Sequence, residues 1–193
     1  EVDINAIEKK IAEMDYVKNV EAFIHIDGDI HISLSQRRPM VRIMHQNGES
    51  IYLDDDGKVM PIRPRYPSKL IICNGFVGHQ RYIENHDSVS VPERQEYLLL
   101  SEKVQNIYHL AKAIDQNNFL KTQITQIYIN DKSEFELIPL LGDQIILFGD
   151  ISRLDEKLMY LETFYRQETK NLGWTQYKTI NLKFKNQVVC TKK

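Results

Sequence analysis

The chain has 193 residues, of which 25 are basic and 27 are acidic, giving a formal net charge of −2 at pH 7. A hydrophobic fraction of 42% excludes an intrinsically disordered chain, and the near-neutral charge argues against a nucleic-acid binder, which needs a basic face. Two cysteines exclude a disulfide-dense scaffold and a four-cysteine zinc site.

The first 45 residues predict one small α+β unit. Asp3 can cap a helix whose apolar residues recur at a spacing of three to four, namely Ile4, Ile7, Ile11 and Met14. A second short helix or turn is expected over residues 15–20. Because the chain begins at Glu1 rather than at a methionine, we expect it to be part of a longer protein.

Two alternating segments then predict a β-hairpin. Residues 22–26 and 30–34 alternate apolar side chains with polar or aromatic ones, and an Asp-Gly-Asp loop joins them. If Ile26 lies opposite Ile30, the apolar residues of both strands form one continuous face. The sequence therefore predicts a half-buried pair of strands.

Residues 46–193 have a different spacing of apolar and turn residues, which predicts a larger sheet with two long helices. One helix is opened by Pro92, and the other runs over about residues 153–172 and stops at Gly173. The apolar stripes of the two helices comprise Tyr97, Leu100, Val104, Ile107, Tyr108, Ala111 and Ile114, and Leu154, Leu158, Leu161 and Tyr165. Ser152 and Asp155 resemble a capping pair for the second helix. Short strands are expected over residues 50–53, 59–60, 70–73, 126–129, 135–138, 144–148, 179–184 and 187–190.

Candidate metal-ligating residues occur in two places. The Asp-Asp-Asp-Gly segment at residues 54–57 offers three carboxylates, but a calcium loop needs a distal bidentate Glu, and none follows at that offset. His25 and His31 lie opposite each other in the predicted hairpin, short of the three protein ligands usual for zinc. Both patterns favour structural interpretations, a β-turn and a polar surface. A metal-dependent hydrolase using Asp54 or Asp56 stays open as an alternative.

Motifs of established catalytic chemistry are absent from the sequence. It contains no nucleophile elbow, no His-Glu-x-x-His, no phosphate-binding loop and no dinucleotide-binding fingerprint. Cys73 and Cys190 could form one disulfide in an oxidising compartment, although each lies in an apolar segment where a thiol behaves as a small hydrophobe. The residues alone therefore indicate no obvious active site and no cofactor.

The predicted strand at residues 179–184 is a candidate binding strand. Ile180, Leu182 and Phe184 alternate with polar residues. At the edge of a sheet, such a strand would offer N–H and C=O groups that a partner strand can pair with. Lysines within it are equally typical of an edge protected against association, so the pattern alone leaves both interpretations open.

Five segments in order carry a resemblance to known proteins. Their sequences are SQRRP at 35–39, YLDDDGKV at 52–59, LIICNG at 70–75, ILFG at 146–149 and INLKFKNQVV at 180–189. The first resembles the E-R-x-P segment that ends a POTRA domain, with Gln36 in place of Glu. The others resemble the V-D-x-x-G-x-V, L-P-x-L-x-G, V-x-L-G and V-D-L-R-Y-x-x-x-V-V segments of the bacterial cell-division family FtsQ/DivIB.

The resemblance implies an α+β fold in two parts. A POTRA-like unit is expected over residues 1–45, with helices packed on a short sheet whose first strand is missing. A larger β domain is expected over residues 46–193, with two long helices against a mixed sheet. The resemblance also implies a single-pass inner-membrane protein at the division septum, in which a short cytoplasmic tail and one transmembrane helix precede this periplasmic region.

The resemblance further implies a non-enzymatic scaffold of the cell-division machinery. It would bind FtsB-like and FtsL-like division proteins, and other division proteins through the POTRA-like unit, and help couple division to septal peptidoglycan synthesis. Carried over by position, the partner-binding residues are Lys178, Thr179, Ile180, Asn181, Leu182, Lys183 and Phe184. A POTRA-bearing protein that handles substrates in outer-membrane assembly or secretion is the alternative, and it would predict tandem POTRA units or a following barrel.

Overall fold

The computed structural model shows an α+β fold built on two sheets. The structure describes residues 2–62, 70–77, 102–168, 173 and 176–193. Within these ranges, no helix is both long enough and apolar enough to cross a bilayer. One sheet belongs to a small N-terminal unit, and the other carries the long helices.

The N-terminal unit consists of one helix and a two-stranded antiparallel sheet. They are α1 (Ile4–Ala12), β1 (Val17–Ile24) and β2 (Ile30–Gln36). The predicted cap is confirmed, because the Asp3 carboxylate accepts a hydrogen bond from the Ala6 N–H at 3.0 Å. Helix α1 has no buried residue, and all seven residues of β2 are exposed, so the described unit has little core of its own.

The expected second short helix or turn at residues 15–20 is present only as a turn at residues 15 and 16. Helix α1 ends in a turn in which the Val17 N–H donates to the Met14 carbonyl, and β1 begins at Val17. The reason lies in the residue types, because β-branched Val17 and Val20 favour extended backbone. The small sheet is therefore covered by a single described helix instead of two.

The hairpin is confirmed, but its predicted register is wrong by two residues. Ile30 lies opposite Ile24 rather than opposite Ile26. The loop is displaced by one residue from the Asp-Gly-Asp segment, because the His25 N–H donates to the Asp29 carbonyl at 2.8 Å and leaves residues 26–28 between them. A shift of two residues preserves the side-chain alternation, so the continuous apolar face survives.

Within the described residues, the second sheet has nine strands and mixed directions. Their order across the sheet is β11-β10-β9-β8-β7-β6-β3-β4-β5, with parallel pairing of β3 to β6, β6 to β7 and β9 to β10. The bounds are β3 Pro39–Met44, β4 Ser50–Asp54, β5 Val59–Met60, β6 Ile71–Gly75, β7 Ile124–Ile129, β8 Phe135–Pro139, β9 Ile145–Gly149, β10 Tyr177–Asn181 and β11 Val189–Lys192. The chain changes sheets between β2 and β3, ahead of the boundary predicted at residue 45.

Three described helices accompany the large sheet. They are α2 (Glu102–Gln116), the short α3 (Leu120–Gln123) and α4 (Leu154–Glu168). Both apolar stripes are confirmed where they are described, since the buried helix residues include Val104, Ile107, Ala111, Ile114, Leu158, Leu161 and Tyr165. These residues and the strands form one continuous hydrophobic core. Pro92, Tyr97, Leu100 and the predicted end of the second helix at residues 169–172 lie outside the described residues.

The start of α4 differs from the predicted capping pair. Asp150, rather than Asp155, binds Ser152, because its carboxylate accepts hydrogen bonds from the Ser152 N–H and hydroxyl. Arg153 takes a positive φ of 54° between this turn and the helix. Residue 153 therefore ends a turn and does not begin the helix.

Candidate functional site

The predicted partner-binding strand lies inside the sheet and not at its edge. Strand β10 pairs in parallel with β9 on one side and antiparallel with β11 on the other. Ile180 and Leu182 are fully buried, at 0% and 1% exposure. The prediction of an edge at residues 178–184 is therefore wrong. Alternation of apolar and polar residues is shared by an edge strand and by an internal strand with one face covered by helices, so the pattern could not separate them.

The end of the predicted segment leaves the sheet. The Lys183 N–H donates to the Asn181 side chain at 3.0 Å, which turns the chain away after β10. The Lys183 ammonium lies 3.1 Å from Glu134, the residue that precedes β8. Phe184 follows in this turn with 47% of its side chain exposed. Lys183 and Phe184 are accessible, whereas Thr179–Asn181 pair with the outer strand β11.

Strand β11 forms the edge that the sequence assigned to β10. It pairs with β10 alone in the part of the chain that the structure describes. Val189, Thr191 and Lys192 are exposed. The Lys193 N–H donates inward to the Gln176 carbonyl at 3.0 Å, so strand alternation directs the Lys192 N–H and C=O outward. The edge thus presents main-chain groups to a partner.

The edge carries a strong positive charge. Residues 176–193 include five lysines and no acidic residue, although the whole chain has a net charge of −2. Lys193 forms an ion pair with Asp143 at 2.6 Å, and this hydrogen bond lowers the pKa of Asp143. Across the described ranges, Lys178, Lys185 and Lys192 have no carboxylate within ion-pair distance, so they remain available to an acidic partner.

A polar cavity of about 320 Å³ lies beside the turn that follows β10. Its walls include Lys183 and Glu134, and also Asp150 and Lys157 at the start of α4. Lys157 is almost fully buried, and its ammonium lies 2.8 Å from the Asp150 carbonyl and 4.9 Å from the centre of the Phe148 ring. The cavity is thus lined by ion-paired side chains, whereas typical small-molecule sites have largely apolar walls.

The acidic turn at residues 54–57 is confirmed as a hairpin turn between β4 and β5. One Asp54 oxygen accepts hydrogen bonds from the Asp56 and Lys58 N–H groups, at 3.0 and 2.7 Å. The other accepts from the Arg37 guanidinium at 2.7 Å. Asp54 is fully buried, so its carboxylate organises the turn and is neutralised by Arg37.

The other two carboxylates of this turn converge on one lysine. The Lys18 ammonium lies 3.1 Å from Asp55 and 2.8 Å from Asp56. Hydrogen bonds to Asp56 and then Asp55 raise the pKa of Lys18, and the bond from Lys18 lowers the pKa of Asp56. Within the described residues, these three aspartates are the one group of at least three close metal-ligating side chains, and Arg37 and Lys18 already offset two of their three charges.

The histidine pair and the cysteines are also placed. The ring centres of His25 and His31 lie 4.6 Å apart, with Phe23 stacked on His31 at 5.5 Å. Phe23, rather than His25, lies directly opposite His31 in the register.

Cys73 and Cys190 form no disulfide, because β6 and β11 are separated by four intervening strands. Burial raises the pKa of the Cys73 thiol to about 12.

The comparison with known proteins gives a match over the part of the chain that forms the large sheet. Residues 38–191 match the model of a family described as "FtsQ/DivIB, C-terminal related". The chain belongs to this family. The family is related to the FtsQ/DivIB C-terminal domain and is not FtsQ/DivIB itself, which corrects the identification made from the motifs. No curated protein gives a significant match. The matched range of this FtsQ/DivIB-related domain contains the nine-stranded sheet except for Lys192, the last residue of β11, and leaves out the N-terminal unit.

Proposed function

We propose that this FtsQ/DivIB-related protein is a non-enzymatic binding module that acts as FtsQ/DivIB does, holding FtsB-like and FtsL-like proteins at the division septum and helping couple division to septal peptidoglycan synthesis. The membership of the family supports this proposal, as does the order of motifs shared with FtsQ/DivIB. The same family match favours it over the alternative of outer-membrane assembly or secretion. The described region lies outside the cytoplasm in this proposal, tethered by a single transmembrane helix.

The observation that carries the proposal is the outer edge of β11. A partner strand that pairs there extends the sheet, and it gains main-chain hydrogen bonds without any reaction at a catalytic group. Each such bond contributes about 0.5–1.5 kcal/mol net, so several contiguous residues must take part. Anchoring both proteins in one membrane raises their effective concentration and compensates for a short edge.

The charge of this edge selects the partner. Lys178, Lys185 and Lys192 surround β11 without an acidic residue between positions 176 and 193. A partner segment with carboxylates at matching positions is attracted, and a basic segment is repelled. The partner strand is therefore an acidic, extended segment of a division protein.

The residues predicted as the site retain a role in this proposal, by a different route. Thr179, Ile180 and Asn181 pair with β11 and hold it in register. Lys178 contributes charge, and Phe184 offers an exposed aromatic surface at the turn. The partner adds to β11, and residues 178–184 form the support behind it.

Proline substitution at the edge tests the proposal. Lys192→Pro removes the outward N–H, whereas Lys192→Ala removes only the charge and keeps the donor. We expect Lys192→Pro to weaken binding of the extracytoplasmic segments of FtsB-like and FtsL-like proteins by about tenfold or more. Lys192→Ala should weaken binding less, mainly at low salt. Calorimetric titration measures both, after circular dichroism has shown the native fold.

Unchanged binding by a natively folded Lys192→Pro variant would remove β11 as the binding edge. Binding that falls equally in Lys192→Pro and Lys192→Ala would assign the interaction to charge alone. Either result contradicts strand addition.

A further inference from the structure

We propose that the acidic turn at residues 54–57 is an ionic latch that fixes the orientation of the N-terminal unit on the large sheet. Here the latch means the two side-chain carboxylates of Asp55 and Asp56 together with the Lys18 ammonium between them. It goes beyond partner binding at β11, because it concerns the opposite end of the sheet.

The turn half of the latch is rigidly held by the large sheet. Asp54 binds two N–H groups of its own turn, and the Gly57 N–H returns to the Asp54 carbonyl at 3.0 Å. Helix α2 supports the turn from behind, because Tyr108 and Lys112 both donate hydrogen bonds to the Asp55 carbonyl. The carboxylates of Asp55 and Asp56 are thus presented in fixed positions to the N-terminal unit.

The other half of the latch is one exchangeable cation on β1. Lys18 lies on the second residue of β1 and contacts both carboxylates. Its side chain and that of Asp55 are each about one-third exposed, and that of Asp56 is half exposed. Water and dissolved ions therefore reach all three groups and compete with their contacts.

The rest of the junction does not fix the orientation strongly. The N-terminal unit has a single residue, Val17, in the buried hydrophobic set, so there is little apolar packing to fix it. Arg37 and Arg38 form the connection between β2 and β3, which is the pivot about which the N-terminal unit would rotate. Their ion pairs with Asp54 and Asp115 hold only this pivot. The Tyr16 hydroxyl also donates a hydrogen bond to the Pro61 carbonyl. Among the ion pairs of the described residues, the latch is thus the one that joins the N-terminal unit to the large sheet away from the pivot.

The latch predicts an orientation that depends on ionic strength and on competing charged partners. The Debye length falls from about 10 Å at 0.1 M salt to about 3 Å at 1 M, which weakens exposed pairs while leaving the buried Arg37–Asp54 pair in place. An acidic segment that captures Lys18, or a basic one that captures the two carboxylates, would release the N-terminal unit.

Distance measurement between two spin labels tests the latch. One label replaces Lys10 on α1 and the other Thr163 on α4, both exposed, in a Cys190→Ser background. The buried Cys73 thiol, whose pKa is raised by burial, does not compete for the label. At about 0.1 M salt we expect one narrow distance distribution, which becomes roughly twofold broader at about 1 M salt.

The matched variants separate the latch from a general effect of charge. Asp55→Asn with Asp56→Asn should broaden the distribution at low salt, and Lys18→Gln should do the same. The control, Asp143→Asn with Glu162→Gln, removes two carboxylates from other ion pairs of the large sheet and should stay narrow. Exchanging the charges, with Lys18→Glu, Asp55→Lys and Asp56→Lys, should restore the narrow distribution.

The proposal is overturned if both the asparagine pair and Lys18→Gln retain the wild-type distribution at low salt. It is equally overturned if the control variant broadens as much as they do. Asp54 is unchanged in every variant, and a thermal melt of each confirms that the turn and the large sheet remain folded.

Discussion

Arg37 and Asp54 form a buried ion pair at the connection between the two units. Asp54 is fully buried and Arg37 is 11% exposed, so their charges are removed from water together. Losing one member of such a pair leaves the other charge buried and uncompensated, which costs far more than losing an exposed pair. The neighbouring Arg38 offers the contrast, because 54% of its side chain is exposed beside Asp115.

Arg37→Ala should lower the free energy of unfolding by about 3–5 kcal/mol, because it leaves the buried Asp54 carboxylate without its cation. Arg38→Ala should lower it by no more than about 1 kcal/mol, since Lys121 also pairs with Asp115 and the site is exposed. Urea unfolding of both variants, followed by fluorescence, gives the comparison. Equal losses in the two variants would contradict the burial argument.

Asp150 makes the stability depend on pH. Hydrogen bonds from Ser152 and then from Lys157 hold the pKa of its carboxyl below the ordinary value of 3.8. A carboxyl whose pKa is lower in the folded state stabilises the fold above the unfolded pKa, and this contribution disappears as the pH falls through the folded pKa. The network at the start of α4 is therefore strongest at neutral pH.

Wild type should be more stable than Asp150→Asn at about pH 7, and this difference should be smaller at about pH 2.5, since the pH has then fallen below the ordinary pKa of 3.8. Urea unfolding at the two pH values measures the difference. Asp131→Asn, at an exposed aspartate of a neighbouring turn, is the control and should show little dependence. A constant gap between wild type and Asp150→Asn would show that the ionised carboxylate does not stabilise this turn.

At the scale of elements, the close pairing of β6 with β7 depends on one glycine. Gly75 has a φ of 93°, and a Cβ built on it would lie 2.2 Å from the Ile129 carbonyl oxygen of β7. Gly48, in the turn between β3 and β4, has a similar φ of 89° but open space around it. The two positions separate the effect of the backbone conformation from that of close strand approach.

Gly75→Ala should destabilise the protein by at least about 3 kcal/mol, because it adds a clash with main chain to the cost of a left-handed alanine. Gly48→Ala should cost only the conformational part, about 1–2 kcal/mol. Differential scanning calorimetry of both variants tests this. A smaller loss for Gly75→Ala than for Gly48→Ala would show that β6 can shift away from β7.

Element types were largely predictable, because hydrophobic period is a local property. The alternation in β7, β8 and β9 and the stripes of α2 and α4 were read correctly from the sequence. The start of β1 was missed because residues 15–20 carry charged and polar residues between their two valines. The order of strands was the main failure, because which strand lies outermost depends on contacts between residues far apart in the sequence.

The candidate site shows the same limit. Lysines and alternating apolar residues in 178–184 correctly marked the end of the sheet, but not which of its last two strands lies outside. The signal that could have decided it was the full burial that Ile180 and Leu182 require, against the short, lysine-ended segment Val189–Lys192. The role of the Asp54 turn could not be read locally, because its partner Arg37 lies in the connection after β2 and Lys18 lies in the N-terminal unit.

At the scale of the whole molecule, the two units differ in how they are stabilised. Buried residues join the large sheet and its helices in one core, whereas β2 exposes all its residues. Local opening is easiest where few apolar groups are buried. The N-terminal unit should therefore open without the large sheet.

Amide hydrogen exchange should reveal this difference in the intact chain. Amides of β2 should exchange at least about 100-fold faster than those of β7 and β8, because opening β2 exposes almost no core. Exchange measured by NMR at neutral pH gives the protection of each strand. Equal protection in β2 and β8 would mean that the two units open as one.

The strand order also sets a distance within the molecule. Strands β5 and β11 stand at opposite ends of nine strands, so eight spacings of roughly 4.8 Å, or about 38 Å, separate them. The acidic hairpin that faces the N-terminal unit is at one end, and the lysine-rich ribbon is at the other. The sheet thus works as a spacer with a fixed span. A protein held through its N-terminal unit would present its cationic end several nanometres away, beyond the reach of whatever occupies that unit.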